Sequence, residues 1–405
     1  MRSKLVICCG FLLWLGCAKG GGRPVSPQIV SGPVAVLKTN PAKVYAHYMP
    51  WFENSANGQW GMHWTMATVD PDAVDADGKR QIAAHFYPLI GPYSSSDPDL
   101  IEYHLLLMKL AGIDGLLIDL YGTHDVYDYR ANKRNAEALV EYLPEVGLDF
   151  AIVYEDFTTE HVAKAQVADS ELAAAKADLR YMQSAYFSHD RYIRIDGAPL
   201  LLAFGPRFFE TPGEWAQIFA EIDPLPHFLP LWHQAMDAGD WAAGEFAWVG
   251  EGHFDILDAF YRDRVPELQT AMAAVYPGFR DYYREGGWGD GLGWSIDHEE
   301  GATFAATLER AGQSGLPFVQ LVTWNDFGEG TMIEPTRGFG FSFLVQVQEF
   351  TGVDFTEADL ELVYALYQAR KRHATDEVMQ EKLDLVYRYM VSLRLGEAAG
   401  LLQEL

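Results

Sequence analysis

Eight apolar runs between residues 43 and 324, separated mostly by helical patterns, constrain this chain more than any other feature. They are KVYAHYMPW (43–51), IDGLLIDLYG (113–122), DFAIVYED (149–156), APLLLAFG (198–205), HFLPLWHQ (227–234), EFAWVGEG (245–252), AMAAVYPGF (271–279) and PFVQLVTW (317–324). Most are almost continuously hydrophobic, as strands buried on both faces are. Between the first two, Asp97 as N-cap, Pro98 in the first turn, the Leu100/His104/Leu107/Leu110 spacing and Gly112 at the stop predict a helix. Residues 135–146 and 303–313 repeat the helical pattern. Eight strands alternating with helices predict an α/β fold, a (β/α)8 TIM barrel over residues 41–350. A doubly wound open sheet is the rival architecture, but no glycine-rich phosphate loop follows any run. Asp196-Gly197, inside YIRIDGAPLLL (192–202), suits a type I′ hairpin turn. Two amphipathic stretches, 357–373 and 376–395, predict a C-terminal helical hairpin (351–405) packed on the barrel.

The first residues read as a targeting segment. MRSK is basic, LVICCGFLLWLG is apolar but too short to span a bilayer, and the chain turns polar and glycine-rich from Ala18. LGC at 15–17 resembles a bacterial lipoprotein cleavage box, with Cys17 as the lipidated first residue of the mature chain and Trp14 where that box usually has Leu. Residues 18–40 then read as a flexible tether. Cys8, Cys9 and Cys17 all lie in residues 1–17, so no internal disulfide is expected. These features place the protein outside the cytoplasm, lipid-anchored at the bacterial outer membrane, the cell surface or in the periplasm. The anchor is the expected membrane contact, and a monomer is expected. With 57 acidic against 30 basic residues, the net charge of −27 excludes nucleic acid as a partner.

A barrel of this kind carries its site at the C-terminal ends of its strands. Strand one ends in His47, Tyr48 and Trp51, strand two in Asp119 and Tyr121, strand three in Tyr154, Glu155 and Asp156. Strand five ends in Trp232 and His233, strand six in Glu251 and His253, strand seven in Tyr276. Strand eight ends in Trp324, Asn325 and Asp326, with Glu329 just beyond. The loop 52–96 is long enough to be functional and carries Trp60, His63, Trp64, Tyr87 and Tyr93. Carboxylates converging with Trp and Tyr suit a sugar, because rings stack on pyranose C–H faces while acids bind hydroxyls and move protons. Plainer roles compete: helix caps for Asp119 and Asp156, core positions for His47 and His233, packing for Tyr276. No close His/Asp/Glu triplet has metal-ligand spacing, and no metal or other cofactor is expected.

FYPLIGPYSSSDPDLIEYHLLLMKLAGIDGLLIDLYG (86–122), AVYPGFRDYY (274–283) and TWNDFGEGTMIEP (323–335) together resemble glycoside hydrolase family 99, the endo-α-mannosidases and endo-α-mannanases, related to the family 71 α-glucanases. That resemblance implies a retaining, endo-acting hydrolase of α-glycosidic bonds in a polysaccharide or glycan. The family's paired acids fall on Asp326 and Glu329, the second as general acid/base and the first as base toward the sugar's own 2-hydroxyl. His47, Tyr48, Trp51, Tyr121, Glu155, Trp232, His233, Glu251, Tyr276, Trp324 and Asn325 are the expected substrate contacts. Asp326 is one methylene shorter than the family's Glu, and Gly328 stands where His is usual. The alternatives are a family 71-like glucanase, ordinary double displacement, and a non-catalytic glycan-binding lipoprotein.

Overall fold

A computed structural model describes residues 32–405, so the signal segment, Cys17 and most of the expected tether lie outside the described residues. Eight parallel strands form where the eight runs fall: β1 Lys43–Tyr48, β2 Gly115–Leu120, β3 Asp149–Tyr154, β4 Ala198–Ala203, β5 His227–Pro230, β6 Gly244–Phe246, β7 Thr270–Val275 and β8 Phe318–Leu321. Each pairs with its sequence neighbours, and β1 pairs with β8 from Lys43↔Phe318 to Ala46↔Leu321. The β5–β6 seam closes through bridges at Phe228↔Ala242 and Leu231↔Phe246, with Ala243 N donating to Phe228 O at 2.8 Å. The sheet is therefore a closed barrel wrapped by helices.

The apolar runs follow from double burial: all six residues of β2, GLLIDL, are buried. Gly115 opens that strand because a Cβ there would stand 2.2 Å from Asp149 O. The predicted first helix is Pro98–Leu110, with the Asp97 side chain accepting from Asp99 N. A two-residue strand, Arg194–Ile195, pairs antiparallel with β4 around Asp196 (φ 51°) and Gly197 (φ 83°), the predicted hairpin turn.

Beyond the barrel come three helices rather than a hairpin of two: Glu357–Arg372, Glu377–Val391 and Leu395–Gln403. Arg370, 4% exposed, joins the first two to helix Pro98–Leu110, donating to both Glu102 oxygens (2.8 and 3.0 Å) and to Asp384 Oδ1 (2.7 Å). The tether expected over 18–40 is docked from Val34 onward, because its backbone has partners there. Val34 N donates to Val391 O (3.3 Å) and Asn40 N to Thr351 O (3.1 Å), while Lys38 Nζ pairs with Asp114.

Candidate active site

The long loop 52–96 packs at the mouth of the barrel, where His63 and Met66 line its cavity. Trp64 is fully buried, stacks on Phe52 at 4.0 Å and donates from Nε1 to Tyr93 O at 2.8 Å. Beneath lies a cavity of about 320 Å³, lined by His47, Trp51, Tyr121, Glu155, Asp326 and Glu329 from the sequence reading. His63, Met66, Phe157, Phe204, Arg207, Trp248, Tyr283 and Trp288 also line it.

The two acids ride on a pinned loop after β8. Thr323 and Thr331 close its base, Thr323 N donating to Thr331 O at 2.8 Å. Thr323 Oγ1 accepts from Asp326 N at 2.8 Å, and Asp326 Oδ1 accepts from Glu329 N at 2.9 Å. The first acid is thus oriented by the backbone of the second. Tyr283 donates its hydroxyl to Glu329 Oε1 at 2.8 Å.

Burial and the Glu329 charge push Asp326 well above the usual carboxylate range, against the pull of the Glu329 and Gly328 N–H groups. Burial also raises Glu329, opposed by the Tyr283 hydroxyl and the Arg207 charge. General acid/base action calls for a raised Glu329 beside an ionised Asp326; here burial raises both acids. Burial brings Glu155 to about 8, and burial with the Glu155 charge pushes Asp119 up. Neither Asp119 oxygen receives an N–H or a hydroxyl donor, so this carboxyl caps no helix. Asp156 instead holds the loop after β4, accepting from Arg207, Phe208 and Phe209 N–H at 2.9–3.1 Å.

His47 is buried and held neutral by desolvation, which takes it to about 3. Its Nδ1–H points to Gln320 Oε1 (3.4 Å), which leaves Nε2 as an acceptor. Trp51 lines the cavity, but His63 covers one of its faces at 4.1 Å and 4°, so that face is closed to a sugar. Trp248 stands edge-on to His47 (4.7 Å) and Phe204 (4.8 Å). Arg207 lies over Phe204, 4.4 Å from the ring centroid.

Several expected contacts lie elsewhere. Tyr48 and Trp324 are fully buried: Tyr48 Oη meets His104 Nδ1 at 3.0 Å, and Trp324 packs edge-on to His104 at 5.3 Å. Asn325 points away from the cavity and braces it, accepting from Met49 N (2.9 Å) and donating to Met49 O (3.0 Å) and Tyr93 Oη (3.2 Å). Tyr93 in turn donates to buried Glu334 at 2.6 Å. Tyr276 is buried with its hydroxyl 3.1 Å from His253 Nδ1, which is packing. Trp232, His233 and Glu251 do not line the cavity: β5 stops at Pro230 and β6 at Phe246, so these residues lie beyond the strand ends, with His233 and Glu251 exposed. Among the described residues, no group of three His, Cys, Asp or Glu side chains is placed to hold a metal ion.

A closed (β/α)8 barrel whose mouth gathers four acids among aromatic rings has the architecture of carbohydrate-active barrels. Residues 40–223 match the model of glycosyl hydrolase family 99. The chain is 25% identical over 226 residues to the glycoprotein endo-alpha-1,2-mannosidase-like protein of Mus musculus, covering 50% of this chain and 47% of that one. Against the glycoprotein endo-alpha-1,2-mannosidase of Rattus norvegicus, identity is 28% over 187 residues, 44% of this chain and 38% of the relative. The chain thus matches less than half the length of these relatives. The family 99 endo-alpha-mannosidase structure from Bacteroides thetaiotaomicron shares the fold, with a TM-score of 0.59 at 20% identity over 80% of this chain and 99% of that one. Over residues 40–223 the chain is similar to family 99, and it shares the fold of that family's solved endo-alpha-mannosidase. The family match ends at residue 223, before the loop that carries Asp326 and Glu329.

Proposed function

We propose that the protein is a retaining, endo-acting glycoside hydrolase of α-mannosidic bonds in a polysaccharide or glycan, exported and lipid-anchored through Cys17. The observation that carries the reading is the Asp326–Glu329 pair, joined by an N–H···O bond of 2.9 Å on the wall of a cavity lined by rings. The mannosidase names of its relatives supply the sugar. In the proposed reaction Asp326 takes the proton of the sugar's 2-hydroxyl as O2 bonds to C1. The glycosidic C1–O bond breaks and its oxygen receives the Glu329 proton. Glu329 then takes a proton from water, whose oxygen opens the 1,2-anhydro ring at C1, and Asp326 returns its proton to O2. Two displacements at C1 give retention. The scheme needs one proton on the pair, with Glu329 protonated and Asp326 ionised in the bound complex; burial raises both acids.

The test is a panel of α-mannans and α-glucans analysed by product chromatography, with the first-formed anomer read by NMR. Internal cleavage of α-mannan with retention is expected, as is no turnover of a 2-deoxy analogue. Normal turnover of that analogue would make Asp326 a direct nucleophile. Binding to every glycan without turnover of any would leave a binding protein.

A further inference from the structure

Exposed aromatic rings are scarce on this molecule. Among the described residues, two Phe, Trp or Tyr side chains are exposed: Tyr127 at 71% and Trp288 at 37%. Trp288 lines the cavity, and Tyr127 is linked to the cavity by a run of rings. Tyr127 lies 6.0 Å from Tyr129 between centroids, and Tyr129 lies 5.0 Å from Tyr121, which lines the cavity wall. On its other side Tyr127 stands edge-on to His161 at 5.3 Å, and His161 meets Phe157, another cavity residue, at 5.8 Å.

The ring is held rather than free. Tyr127 has φ of 50°, the left-handed region that a bulky side chain rarely occupies without surrounding constraint. The next residue, Asp128, accepts from the cavity residue His63 Nε2 at 3.0 Å. Tyr129 Oη bonds His161 Nδ1 at 2.6 Å. Val126, Tyr129, Val162 and Ala174 form a small core of their own under this loop. A strained backbone, a separate core and a tie to the cavity wall all hold an apolar ring in water, a cost with no return inside the folded chain.

We infer that Tyr127, with Tyr129 and His161 beneath it, is an outer sugar subsite that stacks a pyranose of the same glycan whose scissile bond lies in the cavity. The inference rests on the glycosidase reading for the ligand's class, and on geometry for the place. An exposed planar face two ring contacts from a cavity residue suits a sugar unit some residues along a polymer, and it gives long chains an advantage over short ones.

The experiment measures binding in a Glu329→Gln background, by calorimetry with α-manno-oligosaccharides of two and six units. Tyr127→Asn removes the ring while fitting the left-handed backbone, and Tyr127→Trp enlarges it. Tyr127→Asn should weaken hexasaccharide binding roughly tenfold, the scale of one lost stacking contact, and disaccharide binding less than twofold. Tyr127→Trp should retain the length preference. Equal loss on both lengths, or no loss on either, overturns the subsite. If the parent enzyme cleaves no mannan yet Tyr127-dependent length preference persists, the hydrolase reading fails and the subsite stands. If no α-mannan of either length binds, both fail.

Discussion

At the N-terminal ends of the barrel strands, Asp114 accepts from Lys43 Nζ and from Val44 N, each at 2.9 Å, and pairs with Lys38. Lys109, buried beside it, donates to Val34 O (2.6 Å) and Val146 O (2.8 Å). At the C-terminal ends of the same strands, four carboxyls come together: Asp119 has no N–H or hydroxyl donor, and the Glu329 charge raises both Asp326 and Glu155. One end of the barrel pairs its charges and the other opposes them. Opposed buried charges cost stability, and chains keep them where they do chemistry. The contrast locates function without reference to any relative.

The largest expected effect tests that contrast directly. Glu329→Gln and Asp326→Asn should each lower kcat on polysaccharide by roughly 10²–10⁴, the range for losing a general acid or base, with no loss of thermal stability. Glu329→Gln should recover most of its activity on a glycosyl fluoride, whose leaving group needs no proton, whereas Asp326→Asn should not. The opposite end should behave in reverse. Asp114→Ala strands Lys38 and should cost roughly 2–4 kcal/mol in denaturant unfolding while kcat is retained. Asp119→Asn removes a like charge and should raise stability by about 1 kcal/mol. If Asp119→Asn destabilises as Asp114→Ala does, the two ends are not opposites.

A third pair of variants compares rings. Trp248→Ala should weaken glycan binding by roughly 1–3 kcal/mol by titration calorimetry, the scale of an aromatic contact. Trp232→Ala, outside the cavity, should leave it unchanged. The smallest effect is a shift in pH. The acid must be protonated, so activity falls as pH rises through the upper pKa of the coupled pair. The Tyr283 hydroxyl stabilises ionised Glu329 and holds that pKa down. Tyr283→Phe should therefore move the alkaline limb of the kcat profile upward by about one unit. An unmoved or downward limb would show that Tyr283 does not tune the acid.

Continuous apolar runs made all eight strands legible, because burial on both faces leaves no alternation to misread. The rule that sites sit at strand ends led to His47, Tyr121, Glu155, Asp326 and Glu329, all of which line the cavity. It failed where strand length was overestimated. The sixth run spans eight residues, but β6 has three, so Trp248 faces the cavity while Glu251 lies on the surface. Tyr48, Tyr276 and Trp324 were misplaced for another reason: beside a strand end, one residue of register decides between cavity and core. Arg207 and Tyr283 come from irregular loops, where no periodicity tells which way a side chain points. Only the acid-rich motif after β8 hinted that such partners were needed.

Asn325 grips both the amide and the carbonyl of Met49, a residue 276 positions earlier in the chain. That clasp joins the first strand to the loop after the last, so the mouth cannot assemble until the chain has been made past residue 325. A nascent chain halted before residue 325 holds the sugar-facing rings of the first half and no acid pair. A contact of this sequence separation is non-local, the kind that slows folding. Competence to act on a glycan is therefore acquired late and all at once, and a truncated or stalled product is inert rather than partly active.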